Sequence, residues 1–207
     1  MAKLIIGRHG ETEYNRKGLW TGLTQVDLTE RGQEEADIAG RILAPLAIDV
    51  AFVSKLRRTT QTAERILKQQ TGTVPVISTA ALNERNYGIY TGKSKQQVLS
   101  EVGEDEFLRI RRSWDGEIEG GETLQDVHNN RIAPFHRDIV LPRVLAGENV
   151  LVVSSNNPLR AYVKEVEEVP IDQVAGIELG TAELRVYDFD NIGTNDWVTV
   201  HKVGDVH

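Results

Sequence analysis

One histidine and a small set of arginines and acids carry the chemical potential of this 207-residue chain. His9 stands between Arg8 and Gly10, directly after the apolar run Leu4-Ile5-Ile6. An imidazole can attack a phosphoryl group and hold it as phosphohistidine. Arginine offers a planar fork of donors that matches phosphate oxygens, so Arg8 and Arg58 could clamp such a group without metal. Phosphoryl transfer otherwise needs positioning, neutralised oxygens and a group that moves the hydroxyl proton. Glu84, in Leu82-Asn83-Glu84-Arg85-Asn86-Tyr87-Gly88, is a loop carboxylate suited to that task. Lys95, Arg111 and Arg112 form a second basic set that could hold a carboxylate or another phosphate. Each residue taken singly has a plainer explanation: a surface turn, a solvated glutamate, a helix face with two arginines. Arg58 departs from this, because a cation near a helix start opposes the helix dipole and so favours a functional reason.

Other chemistries fare worse. There are no cysteines, which excludes disulfides, thiolate catalysis and cysteine zinc sites. No Walker or Rossmann glycine fingerprint occurs. His128 and His136 lie eight apart, too far for a helical i,i+4 metal pair, and read as helix-surface residues. Trp20, beside Thr21-Gly22, reads as part of a packed lid. The formal charge of −7 argues against non-specific nucleic-acid binding but not against a small anionic substrate held by local arginines. No apolar run reaches ~18 residues and no signal-like segment opens the chain. The expectation is a cytoplasmic protein acting on a small phosphorylated molecule, with no nucleic-acid or membrane partner. A composition of 40% apolar and 27% charged residues suits one folded domain over 1–207.

The elements that must position these residues alternate. Strands are expected at 3–7, 48–53, 74–77, 149–153 and 184–189. Helices are expected at 30–46 with Thr29 as N-cap, from 55–58 onward, at 94–102 and at 104–113. A long helix is expected over 122–140, with Leu124, Val127, Ile132, Phe135 and Ile139 inward and a kink or break at Pro134. Asn157 as N-cap with Pro158 in the first turn should open a helix to about 167. Residues 8–28 read as a long functional loop with a helical turn near Tyr14 and Asn15. The tail after Asn191 reads as irregular. Alternation of this kind gives an α/β fold, a mostly parallel sheet flanked by helices, in which three polar strand ends converge at one edge.

The segments RHGETEYN at 8–15, TGLTQVDLTERGQEEA at 21–36, SKLRRTTQTA at 54–63, LNERNYGIYTGKSK at 82–95 and RRSWDGEIEGGETLQD at 111–126 resemble the histidine phosphatase superfamily. They look most like its 2,3-bisphosphoglycerate-dependent phosphoglycerate mutases, in a short form, over about residues 4–190. The resemblance implies a phosphoglycerate-mutase-like fold, a phosphorylated His9, phosphate-clamping Arg8 and Arg58, and Glu84 as proton donor and acceptor. It places Thr12, Asn15, Thr21, Gly22, Tyr87, Lys95, Arg111, Arg112 and Asn156 along the substrate pocket. It also implies bisphosphoglycerate as phosphoryl primer, no metal, and a homo-oligomer. One position departs. After the strand the family reads His-Gly-Asn-Ser-Leu-Arg, whereas this chain reads Ser155-Asn156-Asn157-Pro158-Leu159-Arg160. Ser155 thus stands where the family has a histidine that donates to the transferring phosphoryl group. Losing one such donor costs on the order of 10²–10³ in rate. Three functions remain open: a mutase, a histidine-type phosphatase, and a weak homologue that binds a phospho-ligand or a protein.

Overall fold

The computed structural model describes residues 2–189 and, as backbone, 198–203. Leu4, Ile5 and Ile6 are fully buried, as are Val150–Val153. Such continuous apolar runs suit strands covered on both faces. They form β1 (Ala2–Arg8) and β4 (Val150–Ser154), which pair in parallel at the centre of a six-stranded sheet. With β2 (Val50–Ser54), β3 (Val76–Thr79), β5 (Leu184–Phe189) and β6 (Val198–Val203), the order is β3-β2-β4-β1-β5-β6. The β1, β2, β3 and β4 pairings are parallel; β5 runs antiparallel to β1 and to β6. The tail expected to be irregular therefore contributes a strand, while the residues around it, 190–197 and 204–207, lie outside the described residues.

Side-chain alternation divides the core. Leu4, Ile6, Phe52, Val150 and Val152 point to one face and meet the helical run Leu124–Leu145 and the helix Asn156–Glu167. Ile5, Ala51, Val53, Leu151 and Val153 point to the other face and meet α2 (Glu30–Leu43) and α3 (Arg57–Leu67). The short α1 (Glu13–Arg16) forms within the long loop, where the helical turn was expected. Helices α4 (Lys95–Val102) and α5 (Glu104–Arg112) are split by Gly103, whose φ of 81° an L-residue rarely adopts. Their apolar faces join Trp20, Tyr87 and Ile118 in a third cluster.

Some boundaries shift. Helix α2 stops at Leu43, short of Pro45. Strand β3 lies two residues later than expected, at the sheet edge, where Val76 and Ile77 are exposed. The long helix, here α6, starts at Leu124 behind a Thr123–Asp126 capping box and runs to Leu145. Pro134 neither ends nor splits it: two π-helical turns, His128–Ile132 and His136–Val140, flank the proline. Each π turn takes up an extra residue and rotates the next turns of the helix relative to a 3.6-residue period. Ile139 consequently faces solvent, 44% exposed, and Val140 and Val144 face the core instead. The last helix, α7 (Asn156–Glu167), has Ser155 rather than Asn157 at its N-cap. Pro158 still falls in the first turn, where its missing N–H is not needed, and Asn157 is freed to point elsewhere.

Candidate active site

Register brings the chemistry together. Arg8 lies opposite Ser154 on β4, and Val53 opposite Val153, so β1, β2 and β4 end at one level. The His9 N–H donates to the Ser154 carbonyl at 3.0 Å, which carries the histidine just beyond the sheet edge. The loop after His9 is fixed by both neighbouring helices. The Gly10 N–H donates to Thr62 Oγ1 on α3 at 3.1 Å, and the Glu11 N–H donates to Glu35 Oε2 on α2 at 2.9 Å. A Cβ on Gly10 would lie 2.2 Å from the Gly32 carbonyl oxygen, so this approach requires glycine.

His9 is 4% exposed, and its Nδ1 lies 2.7 Å from the Gly10 carbonyl oxygen. A carbonyl only accepts, so Nδ1 carries the proton and Nε2 keeps its lone pair. Burial, then Arg58 and Arg8, push the ring's pKa well below its ordinary value. The ring is thus held as a neutral base among cations, the state a nucleophilic imidazole requires.

The cleft before it is lined by Arg8, His9, Asn15, Thr21, Arg58, Glu84, Tyr87, Lys95, Arg111, Arg112 and Asn156 among the expected residues. Arg58 lies fully buried in the first turn of α3. It donates to the Gly22 and Thr24 carbonyls, each at 3.0 Å, and to Ser155 Oγ at 3.2 Å. Arg8 donates to the Leu179 carbonyl at 2.6 Å, while its buried Nε has no protein acceptor. Glu84 is buried, with its Oε1 accepting the Arg85 N–H. Asn15 Oδ1 accepts from the Thr12 N–H and hydroxyl, which leaves its amide group as the donor end. Lys95 opens α4, and Arg111 and Arg112 close α5. Burial and the Arg111 and Arg8 charges lower the Lys95 pKa, and burial and Arg112 lower that of Arg111.

Three expected residues do not line the cleft. Thr12 is fully buried and caps α1. Gly22 acts through its carbonyl on Arg58. Ser155 is fully buried behind the cleft, its hydroxyl turned to Arg58. Other lining residues escaped the sequence reading. Asn157 donates to the Tyr87 hydroxyl and accepts from Arg160 Nη1 at 3.0 Å. Burial, followed by Arg112, lowers the Arg160 pKa to about 10. Glu178 and Leu19 complete the wall with Trp20, which the sequence marked only as part of a packed lid. Arg85, fully buried just behind it, donates to the carbonyls of Ile110, Gly116 and Glu122, fastening the loop after α5. No spacing rule marks Asn157, Arg160, Glu178 or Arg85, because, the Asn157–Arg160 bond aside, the contacts that give them their roles lie 17 or more residues away. Among the described residues no group of three or more His, Asp or Glu side chains could hold a metal ion, and no helix is long and apolar enough to cross a membrane.

Fold and cleft define an α/β protein whose parallel strand ends present a neutral histidine between buried arginines. The chain matches the histidine phosphatase superfamily (branch 1) over residues 4–200 and belongs to that family. It is 38% identical over 191 residues to a 2,3-bisphosphoglycerate-dependent phosphoglycerate mutase of Cytophaga hutchinsonii, covering 92% of this chain and 89% of that protein. Among solved structures, YhfR of Bacillus stearothermophilus superposes with a TM-score of 0.85 at 22% identity, covering 100% of this chain and 98% of that one. A mycobacterial glucosyl-3-phosphoglycerate phosphatase gives a TM-score of 0.79 at 23% identity, covering 91% and 93%.

Proposed function

We propose that the protein is a phosphoglycerate mutase that interconverts 3-phosphoglycerate and 2-phosphoglycerate through a phosphohistidine at His9. The observation that carries this reading is the neutral His9, its Nδ1 engaged by Gly10 and its Nε2 free beside Arg8 and Arg58. His9 Nε2 attacks phosphorus, the phosphorus–oxygen bond to the sugar acid breaks, and Glu84 supplies the proton that the departing oxygen takes up. In the reverse step Glu84 takes the proton of the other hydroxyl as that oxygen attacks phospho-His9. Arg8 and Arg58 neutralise the phosphoryl oxygens throughout. Lys95 and Arg111 have no acidic partner within ion-pair distance among the described residues, and they are the cations free to hold the carboxylate of the glycerate. The mutase name of the relative at 38% identity supports the substrate assignment.

Bisphosphoglycerate, when bound, would supply the phosphoryl group that first loads His9. The residues present fit it: a buried Arg8 Nε without a protein acceptor at one end, and Lys95 and Arg111 at the other.

A weak homologue that holds a phosphorylated ligand with little turnover is the second reading, favoured by Ser155. A hydroxyl that faces Arg58 rather than the cleft leaves the phosphoryl group without the neutral-to-cationic donor expected at that strand end. A coupled assay separates the two. The mutase reading predicts 2-phosphoglycerate from 3-phosphoglycerate after priming, with little inorganic phosphate. Phosphate release without isomer formation supports a phosphatase instead. Binding of 3-phosphoglycerate with neither product supports the weak homologue.

A further inference from the structure

Three consecutive residues, Ile177-Glu178-Leu179, each hold one arginine of the cleft. The Ile177 carbonyl accepts from Arg160 Nε at 2.8 Å, Glu178 Oε2 pairs with Arg112 Nη2 at 2.7 Å, and the Leu179 carbonyl accepts from Arg8 Nη1 at 2.6 Å. The strap is tied down in turn, because the Leu179 N–H donates to Asn156 Oδ1 at 3.3 Å. Two of these three contacts are made by backbone dipoles. The third brings a full negative charge into a wall otherwise dominated by cations: Arg8, Arg58, Lys95, Arg111, Arg112 and Arg160 face Glu84 and Glu178. Glu84 is buried and Glu178 is half exposed, so Glu178 is the carboxylate at the outer, solvent-facing side of the cleft. Its side chain is 49% exposed, and its charge is felt at Arg8, Lys95, Arg111 and Arg160 as well as at its partner.

A carboxylate in that position does what a ligand carboxylate would do. It occupies one fork of Arg112 and repels any further anion brought to the same end. We infer that Glu178 is a specificity-determining residue, setting the outer end of the cleft to accept a ligand with one carboxylate there over a ligand that brings a second phosphoryl group. The inference rests on the phosphoglycerate reading above and concerns how that site ranks its own ligands.

Calorimetric Kd values for 3-phosphoglycerate and 2,3-bisphosphoglycerate, measured on the wild type and on Glu178→Gln at one ionic strength, test it. Glutamine keeps the length and can still accept from Arg112, so the substitution removes charge and little else. The expected result is a fall in the bisphosphoglycerate Kd that exceeds the fall for 3-phosphoglycerate by roughly fivefold, the scale of one half-exposed charge pair. Added salt should narrow the difference, because exposed charges are screened. If the substitution only loosened the strap, Arg8 and Arg160 would lose support and both ligands would bind more weakly, which overturns the inference. Equal changes for the two ligands overturn it as well. Binding of neither ligand by the wild type overturns the phosphoglycerate reading and this inference together, whereas binding with an unchanged ratio overturns this inference alone.

Discussion

At the scale of single residues, the chemistry depends on which state His9 is held in. Burial and two arginines favour the uncharged ring, and the Gly10 carbonyl selects the tautomer with Nε2 free. Phosphorylation of His9 should therefore persist as pH falls through 6.5, where an exposed histidine would already be half protonated. A pH series of the labelling rate between 5 and 8 checks this; a midpoint at or above 6.5 would contradict it. Ser155 has a different part. Its hydroxyl receives Arg58 and so helps hold the clamp in place. Ser155→Ala should destabilise the fold by about 1.5–3 kcal/mol, the usual worth of a bond to a charged group, as read by urea denaturation. Ser155→His, with Asn156→Gly, should raise the mutase rate by on the order of 10²-fold if a donor at that strand end is what the site lacks. An unchanged rate in the coupled assay would place the deficiency elsewhere.

At the scale of elements, precision comes from close backbone approach. The loop after β1 lies directly on the start of α2. A Cβ at Gly32 would sit 2.1 Å from the Glu11 carbonyl oxygen, and the neighbouring atoms are backbone that cannot swing aside. Gly32→Ala should cost about 1–3 kcal/mol in stability and also displace His9, seen as slower labelling even where the protein is folded. The strand ends and the His9, Arg58 and Lys95 positions were legible because buried strands and capped helices leave local marks: apolar runs, Thr29 before Glu30, Gly103 between α4 and α5. The helical run from Leu124 was less legible. Its two π turns are produced around Pro134 within the packed helix, and a fixed 3.6-residue period therefore put Ile139 on the wrong face. The start of α7 was misplaced by a similar cause. Both Asn157 and Ser155 are good caps in isolation, and the choice was made by Asn157 reaching Tyr87 from another element and Arg160 one turn along its own helix. Arg85, Arg160 and Glu178 carried no local signal, since what defines them is distant carbonyls and charges.

At the scale of the whole molecule, two buried histidines tie stability to pH. His136, expected on a helix surface, is instead 5% exposed against the core, and its pKa, like that of His9, is lowered from 6.5 chiefly by burial. The unfolded chain therefore binds more protons than the native one once pH falls below about 6.5. Their contribution is fully present above that value and is lost as pH drops. The urea midpoint should be nearly constant from pH 8 to 7 and fall between 6.5 and 5, and His9→Gln should reduce the fall. The same buried histidine is also the centre of the functional account. Its most direct test is incubation of the protein with radiolabelled 2,3-bisphosphoglycerate, followed by acid and base treatment of the recovered chain. The account predicts a base-stable, acid-labile label on the wild type that is absent from His9→Gln. No label under conditions that charge a known mutase, or label that survives the loss of His9, would contradict it.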